Sequence, residues 1–145
     1  MHAAAATLLG FDFGTKKIGI AVGQSVSATA TPLITLRNRG QKPDWERIGA
    51  IIRDWQPDAA VVGLPFRMDD TEEDWTDRIR RFARQLQGRF GLTVHLIDER
   101  LTTLEAEGHY LRQGQAGARL LGRHPDLVDA FAAKLILEAW LNEHH

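Results

Sequence analysis

Acidic side chains stand in three places where the surrounding pattern calls for apolar ones. Asp12 interrupts the run LLGFDFGTKKIGIAV, from Leu8 to Val22. Asp98 and Glu99 close an apolar strand-like stretch in LIDERLTT, and Asp129 lies between Val128 and Phe131. A buried carboxylate without a partner is costly enough that chains rarely keep one. Three carboxylates gathered at one place repel each other unless a hard cation neutralises them, and Mg²⁺ or Mn²⁺ held by carboxylate oxygen suits such a set. The chemistry this permits is two-metal phosphodiester hydrolysis, in which one ion activates the attacking water and the other stabilises the leaving oxygen, about 4 Å apart.

Each acid also has an ordinary alternative. Asp12 could accept backbone hydrogen bonds in the DFGT turn, and Glu99 could pair with Arg100. Asp129 could complement a helix dipole from the first turn. Alternation along a strand does not decide between Asp98 and Glu99, because successive residues face opposite ways.

The elements that must position these acids are legible from periodicity. Thr7–Phe13 alternates through Leu9, Phe11 and Phe13 and is expected to be a strand. Gly14 and Thr15 make a tight turn, and Lys17–Gly23 alternates again through Ile18, Ile20 and Val22. A third strand is expected over Ala28–Leu36, with Pro32 placing it at a sheet edge. Trp45, Ile48, Ile51, Ile52 and Trp55 recur at helical spacing, from an N-cap at Asp44 to a stop before Pro57.

AAVVGLP has the continuous apolar character of a buried central strand. A second helix is expected from Thr71, with Thr71 and Asp74 as a weakened capping box. Its buried face runs through Trp75, Ile79, Phe82, Ala83, Leu86 and Phe90, and Gly91 ends it. LTVHLIDER is the next strand, TLEAEGHYLR a short helix, and QGQAGARLLGRHP a glycine-rich basic loop. Asp126 caps a final helix carrying Leu127, Val128, Phe131, Leu135 and Trp140. The order is βββαβαβαα, and the alternation in its second half implies parallel strands covered by helices. In such a sheet ligands gather at the carboxyl ends of strands, where Asp12 and Glu99 fall and to which a following helix can bring Asp129.

Composition excludes several classes. The chain has 145 residues with 43% hydrophobic and 26% charged residues, the balance of one ordinary globular domain spanning 1–145. It has no cysteine, so disulfide scaffolds, Cys-based zinc sites and thiol nucleophiles are ruled out. MHAAAATLLG lacks a basic n-region, and no run approaches the roughly 18 apolar residues of a membrane span, so a cytoplasmic protein with no membrane association is expected. A net charge of −1 argues against a basic nucleic-acid coat but not against a local patch. Arg78, Arg80, Arg81, Arg84 and Arg89 crowd one segment, for which a solvated helix face is the plain explanation.

Taken together and in order, FDFGTKKIGIAV, ATPL, VVGLPFRMDDTEED, DERLTT and VDAFAAKLILEAWL resemble the YqgF/RuvX family of Holliday junction resolvase-like proteins and pre-16S rRNA nucleases, from about Leu8 to Leu141. The resemblance implies an RNase H-like α/β fold: a five-stranded mixed sheet, its first three strands antiparallel, flanked by helices. It implies nuclease acids at Asp12, Glu99 and Asp129, which resolves Asp98 against Glu99 in favour of Glu99, and Mg²⁺ or Mn²⁺ as cofactor. By analogy the substrate is the 5′ end of precursor 16S rRNA, with branched DNA as the alternative. Two positions depart from the family pattern: Gly23-Gln24 stands where Ser-Asp is usual, and Met68-Asp69-Asp70 where Met-Asp-Gly is usual.

Around the acids, Lys16 is expected to contact a phosphate and Arg100 to orient Glu99 or bind the scissile phosphate. Thr102 and Thr103 suit a helix cap. Arg112, Arg119 and Arg123 could track a nucleic-acid backbone without reading sequence. The rival readings are a non-catalytic binding module and an ATPase, since DFGT also resembles the phosphate turn of the actin, heat-shock-protein and sugar-kinase ATPases. Those bind ATP between two such domains, and this chain has the length of one. A junction resolvase would need a homodimer, whereas an enzyme for one RNA end can act as a monomer.

Overall fold

The computed structural model describes residues 6–64, 72–98 and 127–144. Three strands come first: β1 (Thr7–Phe13), β2 (Lys17–Gln24) and β3 (Thr29–Arg37). They are followed by α1 (Trp45–Trp55), β4 (Ala59–Leu64), α2 (Glu72–Phe90), β5 (Thr93–Asp98) and α3 (Leu127–Glu143). The five strands form one sheet in the order β3-β2-β1-β4-β5. β1 pairs antiparallel with β2, and β2 with β3, whereas β4 runs parallel to both β1 and β5. The expected mixed sheet with three antiparallel leading strands is the one observed. Pro32 sits on the edge strand β3, beside a register irregularity opposite Ile20 and Ala21.

The pleat divides the core in two. On one face Leu9, Phe11, Phe13, Ile18, Ile20 and Val62 pack with Ile48 of α1 and Ile79, Phe82 and Leu86 of α2. On the other, Leu8, Ala30, Val61 and Ile97 pack with Ile136, Leu137 and Leu141 of α3. Phe82 is the hub of the first face, with ring centroids 5.7 Å from Phe11, 4.9 Å from Phe13 and 5.4 Å from Trp45.

α1 begins where its sequence says it should. Asp44, buried, caps the helix by accepting the Arg47 N–H at 3.2 Å, and its other oxygen faces Arg39 at 3.5 Å. The helix ends at Gln56, left-handed at φ 46°, whose N–H reaches the Ile52 carbonyl at 2.8 Å before Pro57 breaks the ladder. Trp55, the last residue of α1, is 41% exposed. Val128, expected as an apolar residue of the last helix, is likewise 43% exposed in its first turn.

Thr71, Asp126, the TLEAEGHYLR helix and the QGQAGARLLGRHP loop lie outside the described residues. Among the described residues no helix is long and apolar enough to cross a membrane.

Candidate active site

Phe11 and Phe13 point toward α1 and α2, so Asp12 between them belongs to the opposite face, the one covered by α3. Its cross-strand partner on β2 is Gly19. Directly opposed residues share a face and lie about 5 Å apart. Above Gly19 sits the first turn of α3. A Cβ placed on Gly19 would overlap the carbonyl of Asp129 and come within 2.7 Å of the Ala130 nitrogen. The missing side chain of Gly19 thus lets Asp129 descend onto the sheet beside Asp12. Both carboxylates are half-buried.

The same device recurs along the helix. A Cβ on Gly10 would come within 2.8 Å of the Ala133 carbonyl and of the Leu137 Cβ, and one on Gly23 within 2.8 Å of a Leu137 methyl. Gly10, Gly19 and Gly23, with Ala21 and Ala30, make a floor almost without side chains under α3. Gly23, where the family usually carries serine, is one of these contacts.

The turn after Asp12 is held from a third strand. The Gly14 N–H reaches the Lys17 carbonyl at 2.9 Å, and a Cβ on Gly14 would stand 2.6 Å from that oxygen. The Asn38 amide nitrogen donates to the carbonyls of Gly14 and Thr15, each at 3.0 Å, while its backbone N–H donates to Lys16 at 2.8 Å. Asn38, just beyond β3, therefore fixes the DFGT loop. It was not singled out from the sequence, where a lone Asn after a strand carries no signal. Lys16 is exposed at the tip of this loop.

The structure sets the Asp129 backbone against Gly19, the cross-strand partner of Asp12, so the two acids start from neighbouring backbone positions. Asp98 ends β5 beside Leu64. Glu99, Arg100, Arg112, Arg119 and Arg123 lie outside the described residues. Among the described residues no group of three acidic or histidine side chains is close enough to hold a metal ion. The two converging acids supply only hard oxygen donors, the type Mg²⁺ and Mn²⁺ take.

Comparison with known proteins gives this site a context. A relative from Azotobacter vinelandii, named "Putative pre-16S rRNA nuclease", is 53% identical over 137 residues, covering 94% of this chain and 93% of its own. One from Pseudomonas syringae pv. syringae, with the same name, is 50% identical over 143 residues, covering 98% and 95%. Among solved structures, T. thermophilus RuvC in complex with Holliday junction substrate superposes with a TM-score of 0.58 at 18% identity, covering 96% of this chain and 95% of the other. The Fowlpox virus resolvase with its substrate Holliday junction DNA gives a TM-score of 0.54 at 12% identity, covering 95% and 98%. These two likenesses show a common RNase H-like fold. The model of the RuvX family, described as Holliday junction resolvase, matches residues 6–143. The chain belongs to the RuvX family, and is a nuclease by that membership.

Proposed function

We propose that the protein is a divalent-metal-dependent nuclease that hydrolyses phosphodiester bonds in precursor 16S rRNA at its 5′ end, a cytoplasmic enzyme whose residues 1–145 act as one domain. The observation that supports this reading is the seating of the Asp129 backbone on Gly19, the cross-strand partner of Asp12. Glu99, one residue beyond β5, is assigned as the third acid. Strand order supports it: β4 lies between β1 and β5, so the carboxyl ends of all three parallel strands share one rim.

In this reading Asp12, Glu99 and Asp129 hold Mg²⁺ or Mn²⁺, which when bound neutralises charge on the scissile phosphate and assists both the attacking water and the leaving oxygen. The chain's own contribution is position. Gly19 sets the height of Asp129 over the sheet, and Asn38 fixes the loop that carries Lys16 toward a phosphate. Lys16, Arg100, Arg112, Arg119 and Arg123 bind the substrate backbone without reading its bases. A monomer suffices for one RNA end. The description of the family as a Holliday junction resolvase supports a second substrate, a four-way DNA junction, which a homodimer would cut with two symmetric sites.

The test is cleavage of a precursor 16S rRNA 5′ fragment and of a four-way DNA junction, with and without Mg²⁺ or Mn²⁺, by wild type and by Asp12→Asn, Glu99→Gln and Asp129→Asn. Metal binding is read separately as the rise in melting temperature on adding Mn²⁺. Cleavage and thermal shift should both vanish in the variants while circular dichroism stays unchanged. Variants that cut as well as wild type would sink the assignment.

A further inference from the structure

The rim that carries Asp12 on one face opens on the other into a groove of about 430 Å³. Phe13, the residue after Asp12, lines its floor with Trp45 and Phe82. Lys42, Arg78, Arg81 and Arg89 line its walls. The three arginines and Gln85 follow one another at spacings of three, four and four along α2, a single stripe roughly 16 Å long at 1.5 Å per residue. No acid lines the groove among the described residues. Asp44, although it lies between the lining residues Pro43 and Trp45, turns its carboxylate to its own helix cap and to Arg39.

Lys42, Arg81 and Arg89 bring three positive charges to one concavity beside Arg78, and a merely solvated helix face would not need them to converge. The floor narrows the ligand they suit. The Trp45 ring is stacked on Phe82, and the Arg89 guanidinium lies 4.7 Å over it, so the aromatic faces are already covered. That leaves guanidinium and ammonium donors, suited to phosphate rather than to bases.

We propose that this groove holds the phosphodiester backbone of the nucleic-acid strand on its way to or from the acids, with Lys42, Arg78, Arg81 and Arg89 as its phosphate contacts. The strand crosses the rim between two adjacent residues of β1, Asp12 toward α3 and Phe13 toward the groove. The inference rests on the nucleic-acid reading above and adds a path for the substrate that is independent of the basic residues predicted from sequence. Arg80 and Arg84, exposed on α2, do not line the groove and take no part.

The experiment is equilibrium binding of a fluorescein-labelled single-stranded RNA to the full-length protein in EDTA, across a salt series. The double variant Lys42→Ala/Arg81→Ala is compared with the charge-matched Arg80→Ala/Arg84→Ala, with melting temperatures confirming that both fold. Loss of two phosphate contacts should weaken binding about ten-fold at 0.1 M salt and flatten the salt slope by about 1.4, while the charge-matched control behaves as wild type. Equal losses in the two double variants, no loss in the first, no RNA binding by wild type, or displacement of the RNA by micromolar AMP would each overturn the proposal. The nuclease reading is judged separately: groove-dependent binding without cleavage keeps the groove and removes the catalysis, and cleavage with unaltered binding does the reverse.

Discussion

Gly19 and Asp129, 110 positions apart in sequence, meet backbone to backbone, and a Cβ on the glycine would occupy the space of the Asp129 carbonyl. Gly19 is also the cross-strand partner of Asp12, so a single residue without a side chain sets how closely the start of α3 approaches the strand pair that carries Asp12.

Gly19→Ala should therefore lift the start of α3 away from the sheet. Overpacking of this kind costs about 1–3 kcal/mol, and a displacement of about 1 Å at a catalytic group costs about 100-fold in rate. Denaturant unfolding and cleavage assays check the two losses. Gly88→Ala is the comparison: a Cβ there meets nothing within 4 Å, so the substitution should stabilise α2 by about 0.5–1 kcal/mol and leave cleavage unchanged.

Asn38→Ala removes the donor that satisfies the Gly14 and Thr15 carbonyls. A loss of about 1–2 kcal/mol is expected from the broken bonds, with a fall in cleavage because the loop after Asp12 loses its tether. Asn38→Asp should cost more than Asn38→Ala in the same unfolding experiment, since it sets a carboxylate oxygen against two carbonyls. If Asp is the milder of the two, the tether does not work through that amide.

Phe82→Ala opens a cavity among Phe11, Phe13 and Trp45 and should cost about 3–5 kcal/mol in chemical denaturation. Trp55→Ala, at a side chain that keeps much of its surface in water, should shift the midpoint far less, by about 0.5 kcal/mol.

The pH dependence of stability should carry a contribution from His95. Its ring stacks on Trp140, which stacks in turn on His144, with centroid separations of 4.7 and 4.1 Å. Burial first, and then the charge of His144, hold the His95 pKa below its ordinary 6.5. Below pH 6.5 the unfolded chain therefore binds a proton that the folded chain resists, so stability falls as pH drops from 6.5 toward the folded value and levels off beneath it. Unfolding midpoints at pH 7.5 and 5.5 should differ more for wild type than for His95→Gln. Equal differences would remove His95 as the cause.

The strands and first helix were legible because their signals are local. Alternation around Phe11 and Phe13 fixed β1 at Thr7–Phe13, and Asp44 with Pro57 bracketed α1. β2 runs one residue further than expected, and β3 is shifted by one to Thr29–Arg37. Periodicity identified the helical spacing that includes Trp55 but not how much of that side chain stays in water. Asp12 and Asp129 were identifiable as acids in apolar surroundings, yet nothing local pairs them. Their approach depends on Gly19 and on the docking of α3, a contact between distant segments. The basic groove escaped for the same reason, since Lys42 and Arg78 come from separate elements and each alone looks like an ordinary surface cation.

The bare floor beneath α3 has a bearing on how the protein can change. At Gly10, Gly19 and Gly23 the smallest available substitution adds a whole methyl group, and each would meet atoms of α3 closer than 3 Å. There is no half-step: spacing set by hydrogen atoms admits no gradual adjustment from the strand side. Drift at the site must then come from the helix: a tolerated change at Gly23 should arrive paired with a smaller side chain at Leu137, whereas at Gly19, which faces only helix backbone, the whole helix would have to shift.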